Sequence, residues 1–180
     1  MQKISTPDLS DLNPSVPFVG LQFNSYGARD FLYGPIKTVH APNDNSFVKK
    51  ILATEGQGGV LFVDGNKSFE VALLGDMIAE NAYKNNWNGI IILGCVRDVD
   101  VLKTIDMGIF ALGSVPKKSE KKDRGSIDAP IEIDGLIINS NDWVYGDSTG
   151  VLVSKVELAI GVEPTTCLLY TSPSPRDDVI

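Results

Sequence analysis

Short, unbroken apolar runs alternate with amphipathic stretches through the middle of the chain. Val60-Leu61-Phe62-Val63, Ile90-Ile91-Ile92-Leu93 and Ile109-Phe110-Ala111-Leu112 contain no polar residue. Strands covered on both faces read this way, whereas strands with one wet face alternate. Residues 36–40 and the largely apolar stretch 69–74 are read as further strands. Phe47, Val48, Ile51 and Leu52 fall at helical spacing after the turn Asn43-Asp44-Asn45-Ser46, which supplies an N-cap. A second helix is predicted from Gly75-Asp76 through Asn85, with Met77, Ile78, Ala82 and Tyr83 apolar and Gly89 placed as the residue past its end. A third is predicted over 98–106, with Val101, Leu102 and Ile105 inward and Gly108 as its stop. Alternating strands and helices of these lengths predict a β-α-β-α-β unit with parallel strands.

The two ends have a different texture. Residues 1–20 hold Pro7, Pro14 and Pro17; a short helix at 10–12 is stopped by Asn13-Pro14, and 19–23 reads as extended. Beyond Gly113, residues 114–129 form a long polar loop, and 131–133, 136–138 and 151–153 read as strands. Asp134-Gly135 is a hairpin signal, and 141–147 reads as a linker. A helix is expected to start near Lys155, through Val156, Ala159 and Ile160. Residues 167–180, from Cys167 through two prolines to Arg176-Asp177, have no periodicity and resemble the in-frame translation of a sequencing adapter. The expectation is one domain over 1–166 and a non-native tail that does not pack on it.

Composition narrows the chemistry. A length of 180 residues, 43% hydrophobic and 22% charged, suits one domain with a real core. The longest apolar runs are far too short to span a bilayer, and the polar start does not read as a signal peptide. Cys95 and Cys167 make no disulfide framework, which points to a reducing cytoplasm. A net charge of -7 lacks the basic footprint expected for nucleic acid. The cluster Lys117, Lys118, Lys121, Lys122 and Arg124, broken by Glu120 and Asp123, reads as a solvated loop. The single histidine, His40, reads as a strand end with a structural role, so a histidine-rich metal site is excluded by count. Any metal would be held by oxygen, which favours magnesium, manganese or calcium.

Ligands of open α/β sheets sit beyond the carboxyl ends of the strands. Three glycine-bearing loops meet that description: Asp64-Gly65, Gly75-Asp76 and Gly94 to Asp98. In Gly75-Asp76-Met77-Ile78, free N–H groups at a helix start suit a carboxylate, although Asp76 also reads as a plain N-cap. Arg97-Asp98 alone also reads as a surface ion pair. Their spacing says more: twenty residues separate Asp76 from Arg97, and Asp98 follows at once. With Val60-Leu-Phe-Val-Asp-Gly65, Ala72-Leu-Leu-Gly-Asp-Met77, Gly89 to Asp98 and Gly146-Asp-Ser-Thr-Gly-Val151, this signature resembles the RraA-like / 4-hydroxy-4-methyl-2-oxoglutarate aldolase family over roughly Ser5 to Lys155.

The resemblance implies an α/β/β/α sandwich of the swivelling phosphohistidine-domain type, with the parallel core followed by a β-rich half. It implies a class II aldolase, a lyase that cleaves 4-hydroxy-4-methyl-2-oxoglutarate to two pyruvates and also decarboxylates oxaloacetate. Asp98 would be the direct ligand of Mg2+ or Mn2+, Asp76 would hold a water of that metal, and Arg97 would meet the substrate's keto or enolate oxygen. Gly75, Asp76, and the backbone at Met77 and Ile78 would receive the carboxylate. Homotrimers, sometimes paired into hexamers, are implied, with an acidic residue from a neighbouring copy completing the site. Neither Glu157 nor Glu163 is assigned that role. Some relatives instead bind and inhibit ribonuclease E, the alternative non-enzymatic reading.

Overall fold

The centre of the molecule is the run from Gly89 to Val96, eight consecutive residues with no exposed member. The computed structural model describes residues 1–162; the expectations for Glu163 and for 167–180 lie outside them. In chain order the elements are α1 (Thr6–Leu12), β1 (Asn24–Ser25), β2 (Leu32–His40), α2 (Ser46–Leu52), β3 (Val60–Asp64) and β4 (Ala72–Leu74). Next come α3 (Asp76–Lys84), β5 (Gly89–Val96), α4 (Val99–Leu102), β6 (Gly108–Ser114) and β7 (Ser126–Ile127). The remainder are β8 (Ile131–Ile133), β9 (Leu136–Ile138), β10 (Trp143–Gly146) and β11 (Val151–Ser154).

One mixed sheet runs β1-β6-β5-β3-β2-β10-β11, with β4 paired to β5 and β7 to β2. The expected parallel core is present: β2 with β3, β3 with β5, and β5 with β6 all pair parallel. The later strands are antiparallel, β10 against both β2 and β11, and β8 against β9 as a separate hairpin. Each face of the sheet has its own core. Leu61, Val63, Ile90 and Ile92 face α2 and α3 residues such as Leu52 and Ala79. Phe62, Ile91 and Phe110 point the other way, onto Ile131, Ile138, Val144 and Val153. A Cβ added at Gly146 of β10 would meet the Phe110 ring of β6 at 2.8 Å, so the sheet curls until β10 covers β6. Fully burying one such Leu, Ile or Phe stabilises by about 1.5–3 kcal/mol, which explains why these positions read as unbroken apolar runs.

Several expectations are corrected. The segment at 141–147 is no linker: Trp143–Gly146 is a strand with Tyr145 almost wholly buried. No strand forms at 19–23, although Val19 is buried. Residues 155–162 are turn and irregular chain rather than the start of a helix. The helix expected over 98–106 is only the turn Val99–Leu102, and Val101 lies exposed. Within α3, Met77 and Tyr83 face outward while Ala79 and Ala82 are buried. Asn86, at φ 66°, supplies the left-handed residue after that helix, and Gly89 instead begins β5, where a Cβ would meet Leu32 at 2.7 Å.

Candidate active site

The site is a contact between the ends of two parallel strands. Arg97 N–H donates to Leu74 O at 2.9 Å, which ties the end of β5 to the end of β4. The chain then turns through Asp98 in the left-handed conformation, φ 56° and ψ 40°. That region disfavours L-residues, and aspartate is among those that tolerate it. Its effect is to aim the Asp98 carboxylate back at the start of α3. Asp98 Oδ2 accepts the Asp76 N–H at 3.1 Å. It also lies where a side chain on Gly75 would be, 2.7 Å from an ideal Cβ there. Gly75 is therefore glycine because of the neighbouring carboxylate; its own backbone, φ -128° and ψ -170°, is ordinary extended chain.

Gly75 is the N-cap of α3 and Asp76 its first residue, so Asp76 is not the N-cap. Its side chain instead accepts from the next N–H, Met77, at 2.8 Å through Oδ1. Of the first three N–H groups, that of Ile78 alone has no acceptor among the described residues. The partial positive charge of a helix N-terminus suits an anion there. Arg97 sits alongside, its Nε 4.0 Å from Asp98 Oδ2 and its Nη1 3.4 Å from Pro116 O. Both contacts are long, so most of the guanidinium's donors remain available.

Gly75, Asp76, Met77, Ile78, Arg97 and Asp98 thus line one cleft of about 170 Å³. Asp64-Gly65, the third candidate loop, does not join them: Asp64 lies 3.3 Å from His40 Nδ1, and His40 Nε2 is 3.0 Å from Pro130 O. His40 accordingly holds the 126–130 segment against the strand ends, the structural role expected of it. Cys95 is buried, and burial pushes its thiol up, away from nucleophilic chemistry.

Sequence reasoning missed the rest of the lining, formed by Asn45, Lys49, Asn81, Lys118, Ser119 and Lys121. The lysine-rich segment is not a free loop. Ala72 N–H donates to Lys117 O at 2.7 Å, and Asn45 N–H to Glu120 O at 3.2 Å. Fully buried Asp44 accepts the Lys122 N–H at 2.6 Å, along with the Ser46 amide and hydroxyl. Burial pushes the Asp44 carboxyl up, but the bonds from Ser46, Lys122 and Arg124 outweigh it and hold it below the usual carboxylate range. The signal available in the sequence was Asp44-Asn45, polar residues in a turn directly before a helix.

Among the described residues no group of three or more His, Cys, Asp or Glu stands close enough to enclose a metal. A closed structural site is therefore not built here. What the cleft offers is one carboxylate, Asp98, beside a second, Asp76, both oxygen donors. Magnesium usually keeps several waters and takes only one or two protein carboxylates, so this donor set fits it.

A family model described as RraA-like, Aldolase/RraA, matches residues 6–153. A protein of Acinetobacter baylyi provisionally named 4-hydroxy-4-methyl-2-oxoglutarate aldolase is 45% identical over 151 residues, 84% of this chain and 88% of its own. The crystal structure of a Geobacillus kaustophilus protein described as an S-adenosylmethionine:2-dimethylmenaquinone methyltransferase superimposes with TM-score 0.84 at 38% identity, covering 86% of this chain and 97% of that one. The RNA-processing inhibitor RraA from Thermus thermophilis superimposes with TM-score 0.84 at 36% identity, covering 89% and 98%. By these matches the chain belongs to the RraA-like family.

Proposed function

We propose that this protein is a divalent-metal-dependent lyase that cleaves 4-hydroxy-4-methyl-2-oxoglutarate into two molecules of pyruvate and also decarboxylates oxaloacetate. The observation that carries the reading is the convergence of Arg97, the left-handed Asp98 carboxylate and the open start of α3 on one cleft. Both reactions break a carbon–carbon bond and leave its electron pair on the C2 oxygen as pyruvate enolate. The Ile78 N–H and the positive end of α3 hold the substrate's C1 carboxylate. Arg97 presents a fixed, always-charged fork to the C2 oxygen and stabilises charge as it develops there. Asp76, whose Oδ2 makes no hydrogen bond among the described residues, is the carboxylate placed to assist proton movement. When bound at Asp98, Mg2+ or Mn2+ supplies Lewis-acid stabilisation to the same oxygen.

The family's sandwich topology and trimeric or hexameric assembly belong to this proposal, on resemblance. The names of similar proteins divide between aldolase, methyltransferase and RNA-processing inhibitor, so the site has to choose. Asp98 favours the enzyme, because it puts an oxygen donor for a divalent metal beside Arg97 in the cleft. The test is pyruvate release from 4-hydroxy-4-methyl-2-oxoglutarate and from oxaloacetate with magnesium, with excess chelator, and after metal is restored. Loss with chelator and recovery with Mg2+ or Mn2+ is expected. Full activity in chelator overturns metal dependence. No lyase activity together with tight binding to ribonuclease E would establish the non-enzymatic alternative.

A further inference from the structure

The charge balance of the cleft runs against that of the molecule. The chain carries a net charge of -7. The cleft is lined by four cations, Lys49, Arg97, Lys118 and Lys121, against two anions, Asp76 and Asp98. One substrate carboxylate at α3 does not account for that excess.

The strap that carries two of these lysines explains how they stay available. Its backbone is pinned on both sides, by Ala72 to Lys117, by Asn45 to Glu120 and by Asp44 to Lys122. Its own acids are already engaged: Glu120 pairs with Lys122 at 3.0 Å and with Arg124 at 2.9 Å, and Asp123 pairs with Lys50 at 2.7 Å. None of the ion pairs among the described residues uses Lys49, Lys118 or Lys121. Beside them, Asn45 is 5% exposed; its Nδ2 donates to Leu73 O at 3.2 Å, and its buried Oδ1 has no partner. A buried amide oxygen left unpaired costs free energy, so such atoms commonly mark a place where a donor completes the network.

We propose that Lys118 and Lys121, supported by Lys49, form a second anion subsite that binds the distal carboxylate of a dicarboxylic 2-keto acid. Both lysines line the same cleft as the start of α3, and Asn45, whose buried Oδ1 has no partner among the described residues, lines it with them. The subsite rests on the proposed lyase reading for its substrate, but not for its test. Specificity is then set by charge at the far end of the keto acid: acids ending in a carboxylate bind, and those ending in a methyl bind weakly. Asp44 is a positioning residue, because it fixes the strap from which both lysines project.

Binding without turnover is the direct measurement. Isothermal titration with magnesium present compares 2-oxoglutarate with 2-oxopentanoate, which has a methyl where the former has its distal carboxylate. The wild-type protein should favour 2-oxoglutarate by about tenfold or more, the order of one exposed charge-assisted contact. The preference should fall towards one in Lys118→Met/Lys121→Met and persist in Lys118→Arg/Lys121→Arg, which also shows that the strap still folds. A wild-type ratio near one, or a ratio unchanged in the methionine variant, overturns the subsite. Cleavage of 4-hydroxy-4-methyl-2-oxoglutarate by the same wild-type preparation separates the two ideas. Lysine-dependent preference without cleavage rejects the lyase reading and keeps the subsite. Cleavage without that preference does the reverse.

Discussion

Adding one methyl group at Gly75 should disable the site while leaving the fold almost intact. An ideal Cβ at Gly75 falls 2.7 Å from Asp98 Oδ2, and ordinary contact begins at 3.4 Å, so the carboxylate must retreat by most of an ångström. The backbone raises no objection, since φ -128° is open to alanine. Asp98 cannot follow by shifting its main chain, because its left-handed turn is fixed by Arg97 N–H to Leu74 O on one side and Leu102 N–H to Asp98 O on the other. The movement therefore breaks the 3.1 Å bond from Asp76 N–H. That bond ends on a partly exposed carboxylate, so its loss should cost only about 1 kcal/mol, a fall in melting temperature of about 2–4 °C. A misplacement of this size in a reacting group costs on the order of 100-fold in rate. The assay is pyruvate release under saturating magnesium, with a parallel titration of the metal's apparent affinity and a melting curve. Gly20→Ala is the control, because a Cβ there meets nothing within 4 Å. Wild-type turnover and metal affinity in Gly75→Ala would show that the position of the Asp98 carboxylate is irrelevant to the chemistry.

Arg97→Lys should lower the chemical rate by on the order of 100-fold while the melting temperature holds, since it removes a planar oxyanion donor and no core contact; a near wild-type rate takes Arg97 out of the mechanism. Asp44 gives a pH dependence with a definite sign. Its carboxyl lies lower in the folded protein than the roughly 3.9 of an unfolded chain, so its contribution is present above that value and lost as pH falls through the folded one. Melting temperatures from pH 5 downwards should therefore drop more steeply for wild type than for Asp44→Asn, which starts lower; parallel curves would refute the assignment. Sedimentation at micromolar concentration should show a trimer or hexamer, and a monomer would contradict the proposed assembly.

What could be read from the sequence was local. The strands at Val60, Ile90 and Ile109 declared themselves because burial on both faces leaves no polar position to blur the run. Asp76, Arg97 and Asp98 were legible because each sits where a strand gives way to a turn or helix, and their spacing follows from one β-α-β unit. The left-handed turn at Asp98 was not legible, because aspartate before a short helix reads equally well as its ordinary first residue. Nor was β10: Asn141-Asp142 before it and Asp147 after it are turn formers, and the four residues between them give no periodicity to weigh. The lysine strap was invisible for a different reason. Its position depends on Asp44, which lies 78 residues from Lys122, and no local pattern encodes that contact.

The central claim is that this cleft stabilises pyruvate enolate, and exchange of the pyruvate methyl protons in D2O, followed by proton NMR, measures that without requiring the physiological substrate. The account predicts exchange by the wild-type protein with magnesium, its loss in excess chelator, and a fall of about 100-fold or more in Arg97→Lys and in Asp98→Ala. Exchange that persists in chelator, or that proceeds equally well without Arg97 and Asp98, would contradict it.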